Sequence, residues 1–256
     1  MKLRTLSQAI AVTLLTTGAA QAVELTVSIT NLTQGMLFTP RLLVAHTDNV
    51  DLFEPGTSAS EGLTAIAEGG DTSVLSAELD ASSTADQRHE TFGGLLEAAS
   101  TSADYTFETN DHPYLSLVTM LVPTNDAFAG LDRWEIPTAP GTYTVTLNAY
   151  DSGTEANDEI NSGNTVLTGP GGTSLGGVGV PGMATPEPTQ VNLGSGATGV
   201  ALESVGGVID DSAAEGLIHI HRNVLGDTNP NGGRSDLDST VHRWLNPVAR
   251  MTITVN

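Results

Sequence analysis

The alternation of apolar and polar residues along the chain predicts several β-strands. Residues 23–30 and 142–149 alternate cleanly, which is typical of strands with one buried face. Residues 114–122 are nearly all apolar, as expected for a strand in the core of a sandwich. Two further strands are predicted at residues 216–221 and 248–255. The chain is therefore predicted to be rich in β-structure.

One short helix interrupts this pattern. The segment Ser58–Glu61 resembles a capping box, and Leu63 and Ile66 follow it at helical spacing. Two glycines at 69–70 provide a stop signal, so a helix is predicted at about 58–68. Strands separated by turns, with only one or two short helices, indicate an all-β fold, an antiparallel β-sandwich.

Residues 161–199 have a different composition from the rest of the chain. They are rich in Gly, Pro, Ser and Thr and carry almost no charge. A segment of this length and composition is typical of a long functional or flexible loop. Because strand patterns of one type lie on both sides of it, it is predicted to be a loop insertion within a single domain at 23–256.

The first 22 residues predict an export signal. Lys2 and Arg4 form a positive start, the stretch 6–15 is mostly apolar, and Ala20-Gln21-Ala22 fits a small-x-small cleavage site. The apolar stretch is too short for a membrane span, which needs about 20 residues. We therefore expect a secreted or periplasmic protein, without a transmembrane segment.

Charge and cysteine content narrow the possible functions. The 256 residues include thirty acidic residues, nine basic residues and no cysteine, for a net charge of −21. Without residues 1–22, the basic residues are seven arginines and no lysine. This composition excludes nucleic-acid binding, which needs a basic face, and the lack of cysteine excludes disulfides and zinc–thiolate sites. Divalent cations, basic partners and sugars remain as candidates.

Two acidic turns each follow a strongly predicted strand. Asp126 follows the strand at 114–122, while Asp151 and Glu155 follow the strand at 142–149. Carboxylates on loops at the end of a sandwich suit calcium, which takes six to eight oxygen ligands. In an acidic chain, the same residues also suit solvated carboxylates that only cap the loops. The residues by themselves leave both interpretations open.

The order of three motifs resembles the N-terminal spondin domain, known from F-spondin, mindin and many bacterial secreted proteins. The family's turn Pro-Ser-Pro-Asp-Trp-Phe-x-Gly is matched by residues 123–130, and its strand end Tyr-Asp-Ala-Gly-Thr-Asp by residues 150–155. Residues 244–251, with the sequence WLNPVARM, resemble the family's C-terminal strand. Ala127 stands where the family has tryptophan.

The resemblance implies an eight-stranded sandwich similar to calcium-dependent membrane-binding domains, with a calcium ion at one loop end. It implies that the metal is bound by Asp126, Asp151 and Glu155, where Glu155 departs from the usual Asp. It further implies a non-catalytic module for extracellular adhesion or matrix interaction, with an unknown extracellular protein or glycan as partner and with self-association as a further possibility.

Two alternatives stay open. His219 and His221 lie two residues apart on one predicted strand face, a spacing that suits a transition metal and hence a metal-dependent hydrolase. The small-residue composition and the segment 161–199 also suit a structural subunit of a surface polymer or biofilm matrix. The sequence contains no phosphate-binding loop, and apart from Lys2 it has no lysine that could act as a nucleophile. These features do not favour an enzyme.

Overall fold

A computed structural model describes six parts of the chain in full: residues 23–82, 86–122, 124, 126–154, 216–223 and 242–256. For residues 165–168, 174–177, 191–192 and 201–202 only the backbone is described. The predicted export signal at 1–22 and the predicted ligand Glu155 lie outside the described residues.

The described chain consists of β-strands with two helices inserted after the third strand. The helices are α1 (Glu61–Gly69) and α2 (Thr72–Ala81). The strands are β1 (Glu24–Asn31), β2 (Leu37–Phe38), β3 (Arg41–His46), β4 (Gln87–Phe92), β5 (Tyr105–Glu108), β6 (Tyr114–Val122), β7 (Ala127–Glu135), β8 (Gly141–Asp151), β9 (Thr165–Thr168), β10 (Ser174–Gly177), β11 (Val191–Asn192), β12 (Ala201–Leu202), β13 (His219–Ile220) and β14 (Ala249–Val255).

Eight of these strands form one antiparallel sheet in the order β4-β3-β6-β7-β8-β14-β1-β5, with β13 added to β8 and β2 to β6. Strand β8 joins the two halves of this sheet. Its first part, Gly141–Leu147, pairs with β14, and its last part, Asn148–Asp151, pairs with β7. Two small ladders, β9 with β10 and β11 with β12, pair separately.

The main core lies between the buried faces of this sheet. It joins side chains of β1 and β14, such as Ile29 and Met251, to side chains of β6, such as Leu117 and Leu121. Burial of this apolar surface is the main favourable term in folding, because it removes the side chains from water. The domain contains no cysteine, so packing of this kind takes the place of covalent cross-links.

The two helices cover a second apolar cluster on the other face of the sheet. Leu63 and Ile66 of α1 pack there with Val118 of β6 and Phe128 of β7. Helix α1 begins after Ser60, whose hydroxyl accepts a hydrogen bond from the backbone N–H of Leu63. Among the described helices, none is long and apolar enough to span a membrane.

The structure confirms the all-β fold class and the eight-stranded antiparallel arrangement. The strand predicted at 114–122 matches β6, and the last strand buries alternate residues from Ala249 to Val255 as predicted. The strand predicted at 216–221 is shorter, because only His219–Ile220 pairs with β8. Within the segment 161–199, predicted as a loop, the backbone forms β9, β10 and β11.

Candidate metal centre

The turn between β6 and β7 places Asp126 inside the protein. The hydroxyl of Thr124 donates to the carbonyl of Leu121 at 2.6 Å and accepts the backbone N–H of Ala127 at 3.1 Å. A threonine in this position closes the turn by satisfying backbone groups on both sides of it. The closed turn brings Asp126 to the start of β7, where its side chain is fully buried.

Asp151 reaches the same place from the end of β8. Ala127, the residue after Asp126, is paired with Asp151 in the β7–β8 register. The Asp151 carboxylate is fully buried, and its Oδ1 atom accepts the backbone N–H of Gly153 at 2.8 Å. This hydrogen bond makes a tight turn, and Gly153 allows the turn because its φ of 73° lies in the left-handed region.

The turn after β8 is bound to Asp126 through one carboxylate oxygen. The Oδ2 atom of Asp126 accepts the hydroxyl of Ser152 at 3.0 Å and the backbone N–H of Thr154 at 3.0 Å. The backbone carbonyl of Asp126 also accepts the backbone N–H of Ser152 at 3.2 Å. Hydrogen bonds to a charged carboxylate are stronger than those between neutral groups. Asp126 therefore fixes the conformation of the second acidic turn.

Strand β13 and the residue that follows it add two histidines to the carboxylates. His219 is paired with Asp151 in the β8–β13 register, and its Nε2 atom lies 3.6 Å from Oδ2 of Asp151. The Nε2 atom of His221 lies 3.9 Å from the same oxygen. Burial lowers the pKa of His221 to about 3, and the charges of His219 and Arg222 act in the same direction. The imidazole of His221 is therefore neutral at physiological pH.

Three of these side chains are close enough to surround one cation. One ligand atom each from Asp126, Asp151 and His221 lies within 4.8 Å of the other two, and all three residues are buried. Carboxylate oxygens suit hard cations such as Ca²⁺, whereas an imidazole nitrogen suits Zn²⁺ and other transition metals. Two buried carboxylates at such close range repel each other, and a divalent cation would remove that repulsion. The residues present therefore fit a bound cation.

The amino-acid sequence of this chain matches a known protein family. The Spondin_N profile matches residues 32–170, more than half of the chain. The chain belongs to the spondin N-terminal domain family. No curated protein was found to match it. The matched range includes Asp126 and Asp151 but ends before β13, so the two histidines of this spondin domain lie outside it.

Helix α1 of the spondin domain contributes a further carboxylate near the centre. The side chain of Glu68, on the last turn of α1, forms a hydrogen bond with the side chain of Thr154. Burial raises the pKa of Glu68, the bond to Thr154 opposes this shift, and the negative charge of Asp126 adds to it. Thr154 therefore contacts two acidic side chains, Glu68 and Asp126.

The structure brings two of the three predicted ligands together. Asp126 and Asp151 meet at one end of the sheet, as the resemblance implied, because β7 starts after Asp126 and its antiparallel partner β8 ends at Asp151. Glu155 lies outside the described residues. His219 and His221, treated in the sequence as a separate transition-metal site, join the same carboxylates. Glu68 was not predicted at this site, because nothing in the local sequence indicates that α1 ends beside the turn at 152–154.

Proposed function

We propose that this spondin domain is an exported, calcium-binding, non-catalytic module that acts in adhesion or in contacts with an extracellular matrix. The chain is a spondin-type module, and spondin domains are generally not enzymes. The observation that supports calcium binding is the burial of Asp126 and Asp151 side by side, where β7 begins and β8 ends. Export is supported by the signal-like sequence of residues 1–22.

Calcium would have a structural role in this proposal. Asp126 ends the first acidic turn, between β6 and β7, and Asp151 lies directly before the second. Each accepts a hydrogen bond from a backbone N–H of the turn at 152–154. A bound cation would offset the repulsion between the two carboxylates and hold both turns in one conformation. A fixed loop surface at this end of the sandwich is what recognition of a protein or glycan requires.

Calorimetry on the full chain without residues 1–22 tests the proposal. Calcium titrated into EDTA-treated protein is expected to bind at one site, and Asp126→Asn or Asp151→Asn is expected to abolish the binding heat. Asp104→Asn is the matched control, because Asp104 is an exposed aspartate before β5. Full calcium affinity in both site variants would overturn the proposal.

The position of the histidines keeps one alternative function open. His219 and His221 lie within 4 Å of a buried carboxylate, which is a combination that metal-dependent hydrolases use. A panel of ester, phosphoester and glycan substrates, assayed with zinc or calcium, tests this alternative. Activity that is lost in His219→Ala would favour the hydrolase, and activity that His219→Ala leaves unchanged would exclude a role for this histidine.

A further inference from the structure

The hydrogen bonds of His221 fix which of its two ring nitrogens carries the proton. The Nδ1 atom lies 2.8 Å from the backbone nitrogen of Asn223. A backbone N–H can only donate, so Nδ1 must accept with its lone pair. A neutral imidazole that accepts at Nδ1 carries its proton on Nε2. An imidazolium, which has N–H groups on both atoms, cannot accept this bond at all.

The surroundings of the ring hold it in this orientation. The His221 side chain has no exposed surface and packs against Trp244, with the ring centres 5.2 Å apart. Its backbone N–H donates to the carbonyl of Ala149 at 3.1 Å, which continues the pairing of β13 along β8. The protonated Nε2 atom therefore lies 3.9 Å from Oδ2 of Asp151. At this distance the contact is electrostatic rather than a hydrogen bond.

This arrangement is the reverse of the one found in histidines that bind metals. A metal-bound histidine donates the N–H of its free nitrogen to a carbonyl or carboxylate, and the other nitrogen gives its lone pair to the metal. In His221 the Nδ1 atom, which points away from the carboxylates, accepts a hydrogen bond from Asn223, and the Nε2 atom beside the carboxylates carries hydrogen. His221 is close enough to be a ligand, but its Nδ1 lone pair accepts the N–H of Asn223, so its Nε2 atom carries hydrogen and has no lone pair for a metal.

His219, two residues earlier, shows the opposite pattern. Its Nδ1 atom lies 2.9 Å from the carbonyl oxygen of Leu217, so Nδ1 donates. In the neutral ring the Nε2 lone pair then faces Asp151, at 3.6 Å from Oδ2. The two histidines, one in β13 and one directly after it, thus differ in which nitrogen must carry hydrogen, which makes His219 an internal reference for His221.

From this geometry we infer that His221 is a positioning residue for Asp151 and not a metal ligand. It places an N–H beside one buried carboxylate and offers no lone pair there, so it does not supply the nitrogen ligand that Zn²⁺ prefers. The inference rests on the proposed cation site at Asp126 and Asp151. It assigns a role to one residue that lies next to these two carboxylates.

The direct test is a long-range ¹H–¹⁵N correlation spectrum of the ¹⁵N-labelled protein, recorded in EDTA, in CaCl₂ and in ZnCl₂. The signals of His221 are assigned by their loss in His221→Gln. We expect His221 to show hydrogen on Nε2 in all three conditions. Hydrogen on Nδ1, or loss of the Nε2 hydrogen when zinc is added, would overturn the inference. His219 is the control, with hydrogen on Nδ1.

Affinities measured by calorimetry give a second test, independent of the spectrum. Glutamine retains an amide N–H, so His221→Gln is expected to keep calcium affinity within about threefold, while His221→Ala is expected to lose about tenfold or more, the range for a residue that orients a ligand. Zinc affinity of His221→Gln should equal that of the unmodified protein. A zinc affinity that falls by a hundredfold in both variants would show ligation and overturn the inference.

The two proposals fail in different ways. If calcium does not bind, or binds equally well to Asp126→Asn and Asp151→Asn, the proposed function is wrong, whatever the tautomer of His221. If calcium binds through the two aspartates but zinc displaces the hydrogen of His221, the proposed function stands and only the role of His221 is wrong.

Discussion

His219 and Asp151 are paired across the β8–β13 ladder, and their Nε2 and Oδ2 atoms are 3.6 Å apart. The carboxylate is fully buried, while 30% of the histidine side chain is exposed. This pair attaches β13 to the end of β8, where the sheet also bears Asp126. The stability of this attachment should therefore depend on what balances the negative charge of Asp151.

A first prediction concerns this balance. In EDTA, His219→Ala should lower the melting temperature by several degrees, because β13 loses the side chain that contacts the buried Asp151 across the β8–β13 ladder. In saturating calcium the deficit should be smaller, since the cation then balances Asp151. Differential scanning calorimetry in both buffers measures the two deficits. Equal deficits in EDTA and calcium would contradict the link between His219 and the cation.

A second prediction concerns removal of the metal. A ligand that binds only the native state stabilises it, by about 2.7 kcal/mol when its concentration is a hundred times its dissociation constant. We expect a higher melting temperature in calcium than in EDTA for the unmodified protein, and no difference for Asp126→Asn and Asp151→Asn. Asp104→Asn should keep the full difference. An unmodified protein that melts at one temperature in both buffers would argue against a calcium site.

The sequence predicts the parts of this site that depend on local patterns, but not the part that depends on pairing between distant segments of the chain. Asp126 and Asp151 each follow a strand with a clear apolar pattern. Their meeting at one end of a sandwich was implied by the resemblance to the spondin domain, because the two turns by themselves also suit solvated carboxylates. Their approach to β13 depends on a pairing over more than sixty residues of chain, between Asp151 and His219. No local pattern specifies such a pairing, so the two histidines were predicted to form a different site.

In the fold, too, elements with a clear local pattern of apolar residues were predicted, and elements without one were not. Strand β6 and the alternating strand β14 are predicted because their burial follows the local pattern of apolar residues. Strand β4, with the sequence QRHETF, is mostly polar and was not predicted. Its place at the edge of the sheet, paired with β3 alone, tolerates such a sequence. Helix α2 was also not specified, because its apolar face is limited to Leu75 and Leu79.

A third prediction concerns the glycine of the second acidic turn. Gly153 has a φ of 73°, and a Cβ atom there would lie 2.5 Å from the backbone N and O of Leu217. Gly153→Ala is therefore expected to push the segment that contains His219 away from β8. The strained φ alone should lower the free energy of unfolding by roughly 1 kcal/mol, and the clash with Leu217 should lower it further. The displacement should also weaken calcium binding.

Gly56→Ala is the matched control for this effect. Gly56 also has a positive φ, of 95°, but no atom lies within 4 Å of the position that its Cβ would take. It should lose only the cost of the strained φ, of about 1 kcal/mol, and keep its calcium affinity. Urea unfolding and calcium titration of both variants measure the difference. Equal losses of stability in the two variants would show that the contact with Leu217 is unimportant.

The last prediction concerns Asp132, on β7 away from the metal centre. Burial raises the pKa of Asp132 to about 6, and a hydrogen bond with Asp51 and the charge of Asp51 add to the shift. Hydrogen bonds from the hydroxyl of Ser116 and the backbone of Leu52 oppose it. The Ser116 hydroxyl donates to Oδ1 of Asp132 at 3.0 Å and also contacts Nε2 of His46 at 2.7 Å, while burial lowers the pKa of His46.

The sign of the pH effect follows from this raised pKa. Between the unfolded pKa of about 4 and the folded pKa of about 6, the native state binds more protons at Asp132 than the unfolded state does. The contribution of Asp132 to stability is therefore complete below pH 4 and is lost as the pH rises through 6. With allowance for partial solvent screening, the loss is expected to be about 1–2 kcal/mol. The variant Asp132→Asn, measured by urea unfolding in EDTA at a series of pH values, should not show this loss. A loss of equal size in Asp132→Asn would show that Asp132 is not the group responsible for it.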